Sequence, residues 1–326
     1  MSKHPASSPY QLIVQPDDGI QPVLDFINAA RISLRIKQFS LTDPRILHAI
    51  YDAHERKVDV RIMLNPVRPD KTRDNDETVA HLKRKGIAVR DTSPHFIITH
   101  EKSIVADNLQ ALIATFNLCP KYFQETRDYG IITSDLDQVN EIRKCFDADW
   151  EQKPFESDET ELVWSNTNSR IKMAQHIDRA KKSIEIQHPK YVDLAILERI
   201  TEAFARGVKV RVLCSGTHGV RAWDRVETFS SLRLLQKIGV PVHRMKRPKL
   251  HAKLIVVDDR LVFTGSMNIH HRAFDERREL GIILDDDVIV KRLIKTFHED
   301  WHESHKFEVP DPLMFDQNED HGDVGD

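Results

Sequence analysis

His100, Lys102, Asp107 and Asn117 recur as His251, Lys253, Asp258 and Asn268, each 151 residues further along a chain of 326. The same interval relates Phe123 to Phe274, Arg127 to Arg278, Gly130 to Gly281, Phe146 to Phe297 and Trp150 to Trp301. Upstream the interval is 150, matching Ala30 with Ala180, Ser33 with Ser183, Ile36 with Ile186, and Val58 and Val60 with Val208 and Val210. Between these regions it drifts to 153, where Gly86 meets Gly239. Chance repetition of a short motif does not carry its flanking glycine and tryptophan along. A duplication on this scale means two copies of one folding unit, with the small length differences taken up in surface loops.

Each copy alternates strands and helices. Residues 33–39 read as a strand. Asp43 then reads as an N-cap with Pro44 at the first helical position, opening a helix through Arg56. Val58, Val60, Ile62 and Leu64 alternate as a half-buried strand. The second copy repeats the order. A helix carries Leu194, Leu197, Ile200 and Phe204 on one face and stops at Gly207, and a strand follows over 208–213. This alternation predicts an α/β sandwich in each copy. A polar linker with Pro154 over 152–159 separates an N-terminal repeat, 1–155, from a C-terminal one, 156–315. The acidic tail, 316–326, has no apolar pattern and reads as disordered.

Composition narrows the partners. The net charge is -3, without the basic excess of a dedicated nucleic-acid binder. Hydrophobic residues at 40% leave enough to bury a sizeable core. Three irregularly spaced cysteines, Cys119, Cys145 and Cys214, form neither a disulfide framework nor a zinc site, which points to a reducing, cytoplasmic compartment. The first ten residues lack the apolar stretch of a secretory signal, and no run of about 18 apolar residues spans a membrane. Contact with lipid, if any, is expected to be peripheral.

Chemistry concentrates in a duplicated His-x-Lys-x-x-x-x-Asp motif, HEKSIVAD from His100 and HAKLIVVD from His251. Each reads as the start of a strand. Strand side chains alternate, so His100 shares a face with Lys102 and His251 with Lys253, while Ala252 and Leu254 point into the opposite layer. Asp107 and Asp258 have the other parity and sit near a turn, where they are expected to order backbone or to support the site. A short second strand follows each motif, ending ATFN in the first copy and TGSMN in the second. Thr115 and Asn117 share a face there, as do Ser266 and Asn268. Eleven residues beyond each asparagine stands an acid, Asp128 or Glu279, two residues before Gly130 or Gly281.

The duplicated HxKxxxxD, the trailing Gly-Ser-x-Asn and the acid-x-Gly ending resemble the phospholipase D superfamily, over nearly the whole chain. The first copy departs mildly, with Ala114-Thr115 where the family has Gly-Ser. The resemblance implies two mixed-sheet sandwiches related by a pseudo-two-fold axis, the phospholipase D-like fold. It implies one active site per chain, so that a monomer suffices, without metal or cofactor. The implied catalytic set is His100, Lys102, Asp107, Asn117, Asp128, His251, Lys253, Asp258, Ser266, Asn268 and Glu279. One histidine attacks the phosphodiester and becomes phosphorylated; the other protonates the leaving alkoxide and then deprotonates the water or alcohol that follows. Lysines and asparagine amides balance the developing charge, and the acids fix the imidazole tautomers. The implied substrate is a phospholipid, hydrolysed or used to transfer a phosphatidyl group. A nuclease of the same superfamily, or a silent binding module, is the alternative, and intact His and Lys in both copies speak against silence.

Three features have plainer readings. Trp150 and Trp301 read as core residues closing helices. His298-Glu299-Asp300-Trp301-His302 matches the zinc-protease pattern H-E-x-x-H, but its counterpart, DADWE from Asp147, has neither histidine, so the match reads as chance. Arg244, Lys246, Arg247 and Lys249 precede His251 as a solvated basic loop, or as a rim that steers anions to the site.

Overall fold

The computed structural model describes residues 8–314 except 159, 217–219 and 221. The acidic tail and the first seven residues therefore lie outside the described residues.

The first repeat runs β1 (Tyr10–Gln15), α1 (Gln21–Ala29), β2 (Ser33–Gln38), α2 (Pro44–Glu55), β3 (Asp59–Leu64), α3 (Asp76–Arg84), β4 (Ala88–Asp91), β5 (Ser103–Ala106), β6 (Gln110–Ala114), β7 (Thr126–Thr133) and α4 (Leu136–Trp150). The second runs β8 (Leu162–Trp164), α5 (Ser169–Asp178), β9 (Ser183–Gln187), α6 (Leu194–Ala205), β10 (Lys209–Cys214), α7 (Ala222–Lys237), β11 (Val242–Arg244), β12 (Lys249–Leu250), β13 (Leu254–Val257), β14 (Leu261–Gly265), α8 (His271–Asp275), β15 (Leu280–Leu284), α9 (Asp287–Glu303) and β16 (His305–Lys306).

Local sequence accounts for most boundaries. The Asp43 carboxylate accepts from Arg45 N at the start of α2, with Pro44 in the first turn, as the sequence predicts. Asp193, its equivalent, accepts from Ile196 N to open α6. Leu194 is a correction: it occupies the first turn of α6 and is 78% exposed, so the buried stripe is Ile196, Leu197, Ile200 and Ala203. Gly207 follows α6 at φ 89°, a conformation suited to glycine.

Each repeat builds a mixed sheet with the same topology. The first is ordered β1-β7-β6-β5-β2-β3-β4, the second β16-β11-β10-β9-β13-β14-β15-β8. In each, three strands are parallel, β2-β3-β4 and β9-β10-β11, and the hairpins β5-β6 and β13-β14 are antiparallel. The outer face of each sheet buries a separate apolar core under its own helices. The inner faces share one core, with Val105, Ile113 and Ile131 from the first repeat and Leu254, Val256 and Ile282 from the second packed around α4 and α9. Trp150 and Trp301 stand at its edge, half-buried rather than in the core. Trp150 stacks on Phe146 and receives the Arg90 guanidinium on its ring.

Two pairs of buried charges cross this shared layer. Arg127 bonds Asp300 at 2.9 Å and Arg278 bonds Asp149 at 2.7 Å, each joining one repeat to the other. Backbone pairing crosses too: β12 adds to β7 in parallel, and Thr99 bridges Arg278. His100 N and Glu101 N donate to Arg278 O, while His251 N and Ala252 N donate to Arg127 O. The entry to each His-x-Lys motif is therefore stitched to the other repeat.

Candidate active site

The His-x-Lys part of each motif lies just ahead of β5 or β13, not within it. His100, Lys102, His251 and Lys253 are each no more than 1% exposed. Parity holds on this approach: Lys102 Nζ donates to its own His100 O at 2.7 Å, and Lys253 Nζ to His251 O at 2.8 Å. Ala252 and Leu254 point the other way, into the shared core.

The acids are exchanged between repeats. His100 Nδ1 lies 2.8 Å from Glu279 Oε2, and His251 Nδ1 lies 2.7 Å from Asp128 Oδ1. Each carboxylate sits at the head of the strand that stitches the opposite motif in place, which is why the partner comes from the other copy. A carboxylate against Nδ1 fixes that nitrogen as the protonated one and leaves Nε2 with its lone pair. Lys253 Nζ stands 3.0 Å from His251 Nε2, consistent with this tautomer. Burial alone would raise the Glu279 carboxyl; His100, Lys102 and Arg277 outweigh it and hold that carboxyl below its ordinary range.

The supporting shells differ between halves. Asp128 also accepts from Thr115 Oγ1 at 2.5 Å and from Thr126 Oγ1 at 2.6 Å. Ser266, the equivalent of Thr115, spends its hydroxyl on the backbone of Leu280, and Glu279 Oε1 meets no donor among the described residues. The Ala114 and Gly265 difference has a steric cause. A Cβ on Gly265 would fall 2.3 Å from Gly281 Cα and 2.5 Å from Leu280 O, so the second repeat excludes the residue that the first carries.

Asn117 and Asn268 are fully buried beside the motifs. The Asn268 side-chain amide has neither donor nor acceptor satisfied by protein among the described residues, as expected of a group that waits for a ligand. Asp107 and Asp258 correct the expected set. Asp107 accepts from Arg31 N, Ile32 N and Ser33 N, and Asp258 from Lys181 N, Lys182 N and Ser183 N. Both residues adopt φ 55° at the far end of β5 and β13. They lock the starts of β2 and β9, at the opposite strand end from the histidines, and lie outside the site.

Two side chains belong to the site that motif reading passed over. Gln38 ends β2 and His188 directly follows β9, one step beyond the pairs Lys37–Ser103 and Gln187–Leu254, so each stands opposite a motif lysine. Both are fully buried, and neither the Gln38 amide nor the His188 ring nitrogens find a protein partner among the described residues. Burial, with the Lys253 charge added, pushes the His188 imidazole well below its ordinary value. Their signal was present: the interval of 150 aligns them as polar residues at matching strand ends.

The zinc-protease pattern lies on the outer side of α9. His298 Nε2 is 2.8 Å from Arg211 Nη2, and among the described residues no group of three ligand-type side chains includes His298 or His302. The basic stretch is partly spent elsewhere, with Arg244 packed over Phe307 and Lys249 3.5 Å from Glu125. Lys246 and Arg247 remain exposed.

Comparison with known proteins agrees with this geometry. The family described as "Cardiolipin synthase, PLD-like domain" matches residues 23–150 and 173–301. The chain is 27% identical over 245 residues to the major cardiolipin synthase ClsA of Bacillus subtilis, covering 66% of this chain and 50% of that protein. It is 28% identical over 229 residues to cardiolipin synthase 2 of Staphylococcus epidermidis, covering 69% and 41%. The chain thus spans about half the length of the curated relatives it matches. Among solved structures, the fold is shared with phosphatidylserine synthase from Haemophilus influenzae, at TM-score 0.73 and 13% identity over 92% of this chain and 88% of that one. It is also shared with polyphosphate kinase from Porphyromonas gingivalis, at TM-score 0.72 and 16% identity over 95% and 51%. With both repeats matched by one family and the paired motifs brought to one seam, the chain belongs to the phospholipase D superfamily, in its cardiolipin synthase, PLD-like domain family.

Proposed function

We propose that this protein cleaves the phosphodiester of a phospholipid and passes the phosphatidyl group, through a phosphohistidine, to an alcohol or to water. The observation that carries this reading is the crossed pair of buried imidazole–carboxylate bonds, His100 with Glu279 and His251 with Asp128. Each holds the proton on Nδ1, so that the Nε2 lone pair can act as nucleophile or base. A displacement with a covalent intermediate needs two such groups, one to attack phosphorus and one to give a proton to the leaving alkoxide. Lys102, Lys253, Asn117 and Asn268 supply donors to the non-bridging oxygens, where charge builds up in the transition state. The cardiolipin synthases and the phosphatidylserine synthase among the similar proteins support a phosphatidyl group as the piece transferred. No helix among the described residues is long and apolar enough to cross a membrane; exposed Lys246 and Arg247 beside the motif offer an anionic lipid surface a peripheral contact.

The test is a substrate panel, with phospholipids, single-stranded and duplex DNA, RNA and a chromogenic phosphate diester, each run with an added primary alcohol. The expected product is the phosphatidyl ester of that alcohol. Cleavage of nucleic acid with no turnover of any lipid would refute the phospholipid reading and leave the phosphodiesterase chemistry standing.

A further inference from the structure

The two halves of the site differ in charge at positions the catalytic set does not use. The bridges Leu41–Leu118 and Tyr191–Ile269 are equivalent and fix the register around them. Ser40 then corresponds to Lys190, Cys119 to His270 and Thr126 to Arg277. In the first repeat these positions are neutral and satisfied: Cys119 Sγ donates to Ser40 Oγ at 3.3 Å, and Thr126 Oγ1 to Asp128 at 2.6 Å. In the second repeat all three carry buried basic side chains. Two of them share an acid brought in by α7, with Lys190 Nζ 2.7 Å and His270 Nε2 3.4 Å from Asp224.

Arg277 has no acid. It is 5% exposed, and neither its Nε nor its Nη1 meets an acceptor among the described residues. Its neighbour Arg278 turns away to Asp149, whereas the Arg277 charge falls on the site: it helps to hold the Glu279 carboxyl low. At His270 burial comes first, and Lys190 and Arg277 add to it, in lowering the imidazole against the pull of Asp224. A buried guanidinium with open donors is costly, and buried donors in folded proteins are otherwise satisfied. The guanidinium fork matches the oxygens of a phosphate. On the proposed reading the scissile phosphate is served by Lys102, Lys253, Asn117 and Asn268, which leaves Arg277 for another anion.

We propose that Arg277 forms a second anion subsite beside the scissile phosphate, which receives a further phosphate group carried by the phospholipid donor or by the acceptor. The lipid identity rests on the phosphatidyl-transfer reading; the subsite itself does not.

Three matched pairs test it, each differing by one phosphate monoester. The donor pair is phosphatidylglycerol and phosphatidylglycerol phosphate with water as acceptor. The acceptor pair is glycerol and glycerol phosphate with phosphatidylcholine as donor. The soluble pair is 2-hydroxyethyl 4-nitrophenyl phosphate and the same ester phosphorylated on its free hydroxyl. In wild type the phosphorylated member is preferred in the donor or the acceptor arm, and in the soluble pair. Arg277→Met reduces that preference tenfold or more, the scale of a lost charge-assisted bond. A preference unchanged by the substitution in every pair overturns the proposal. Wild type turning over the soluble pair but no lipid refutes the lipid reading, and the soluble pair then decides the subsite alone. Thermal melting guards against a folding artefact. Arg277→Met should melt no lower than wild type, and inorganic phosphate should raise the melting temperature of wild type more than that of the variant. A variant that melts several degrees lower would show a structural arginine and overturn the proposal as well.

Discussion

Replacing Asp128 by asparagine and by alanine separates two things the carboxylate does for His251: it holds the tautomer and it supplies charge. In Asp128→Asn the carbonyl can take the place of Oδ1, which accepts from His251 at 2.7 Å and Thr115 at 2.5 Å. The amide nitrogen then faces Thr126 Oγ1, 2.6 Å from Oδ2. That hydroxyl can accept, because it has Tyr122 O at 3.3 Å to take its own proton. The tautomer survives and only charge assistance is lost, about 1–1.5 kcal/mol, or roughly tenfold in kcat. Asp128→Ala leaves Nδ1–H with nothing to hold it, and the loss should reach about three to four orders of magnitude, the scale seen when a triad imidazole loses its tautomer. Glu279→Gln should fall between them. Glu279 Oε1 meets no donor among the described residues, and an amide N–H put in its place also faces the nearby Arg277 charge, so the substitution should cost about 1–3 kcal/mol. Turnover of a chromogenic phosphodiester gives the rates. Proton NMR of ¹⁵N-histidine-labelled protein should show the low-field Nδ1–H signal of His251 vanishing in Asp128→Ala while that of His100 stays. Loss of the His100 signal instead, or an asparagine variant as damaged as the alanine one, would refute the crossed pairing and the reasoning built on it.

Three further outcomes follow from the same structure. Asp149 binds Lys37 and Arg278, both buried, and these two outweigh burial to hold its carboxyl below the ordinary value. That stability is present above the unfolded carboxyl pKa of about 3.9 and drains as pH falls through the lower folded value; Asp149→Asn should cost about 3–5 kcal/mol at neutral pH and flatten the acid limb of a urea-denaturation series. Gly265→Ala drives a Cβ into Gly281 Cα and should destabilise by about 3 kcal/mol or prevent folding, whereas Ala114→Gly should cost under about 1 kcal/mol; equal effects in calorimetry would contradict the close approach. Asp258→Ala strands three backbone N–H groups at a half-exposed strand start and should lower stability by about 1–2 kcal/mol while kcat of the folded protein stays within twofold; a large fall in kcat would return Asp258 to the site.

The sequence alone was enough for the duplication, and the duplication carried most of the architecture. A repeat interval of 150 to 153 residues, kept up from Ala30 to Trp301, requires two like units. Period-2 and helical patterns with the Asp43 cap then place the strands and helices, because these signals act within a few residues. The polar constellation was legible for the same reason: His-x-Lys parity is a property of extended backbone. Leu194 was misjudged where local patterning weakens, at a first helical turn that faces solvent. Parity and the nearby turn already pointed Asp107 and Asp258 toward ordering backbone; only the structure shows that they do so at the strand end away from the histidines. Contacts between distant segments needed the tertiary structure. The exchange of Asp128 and Glu279 between repeats is one, and the burial of Arg277 with Nε and Nη1 unsatisfied among the described residues is another. A sequence repeat is symmetric under exchange of its copies, so same-copy and crossed pairings look alike in it; only the stitching of each motif to the opposite β7 or β15 approach, and the burial that follows, chooses between them.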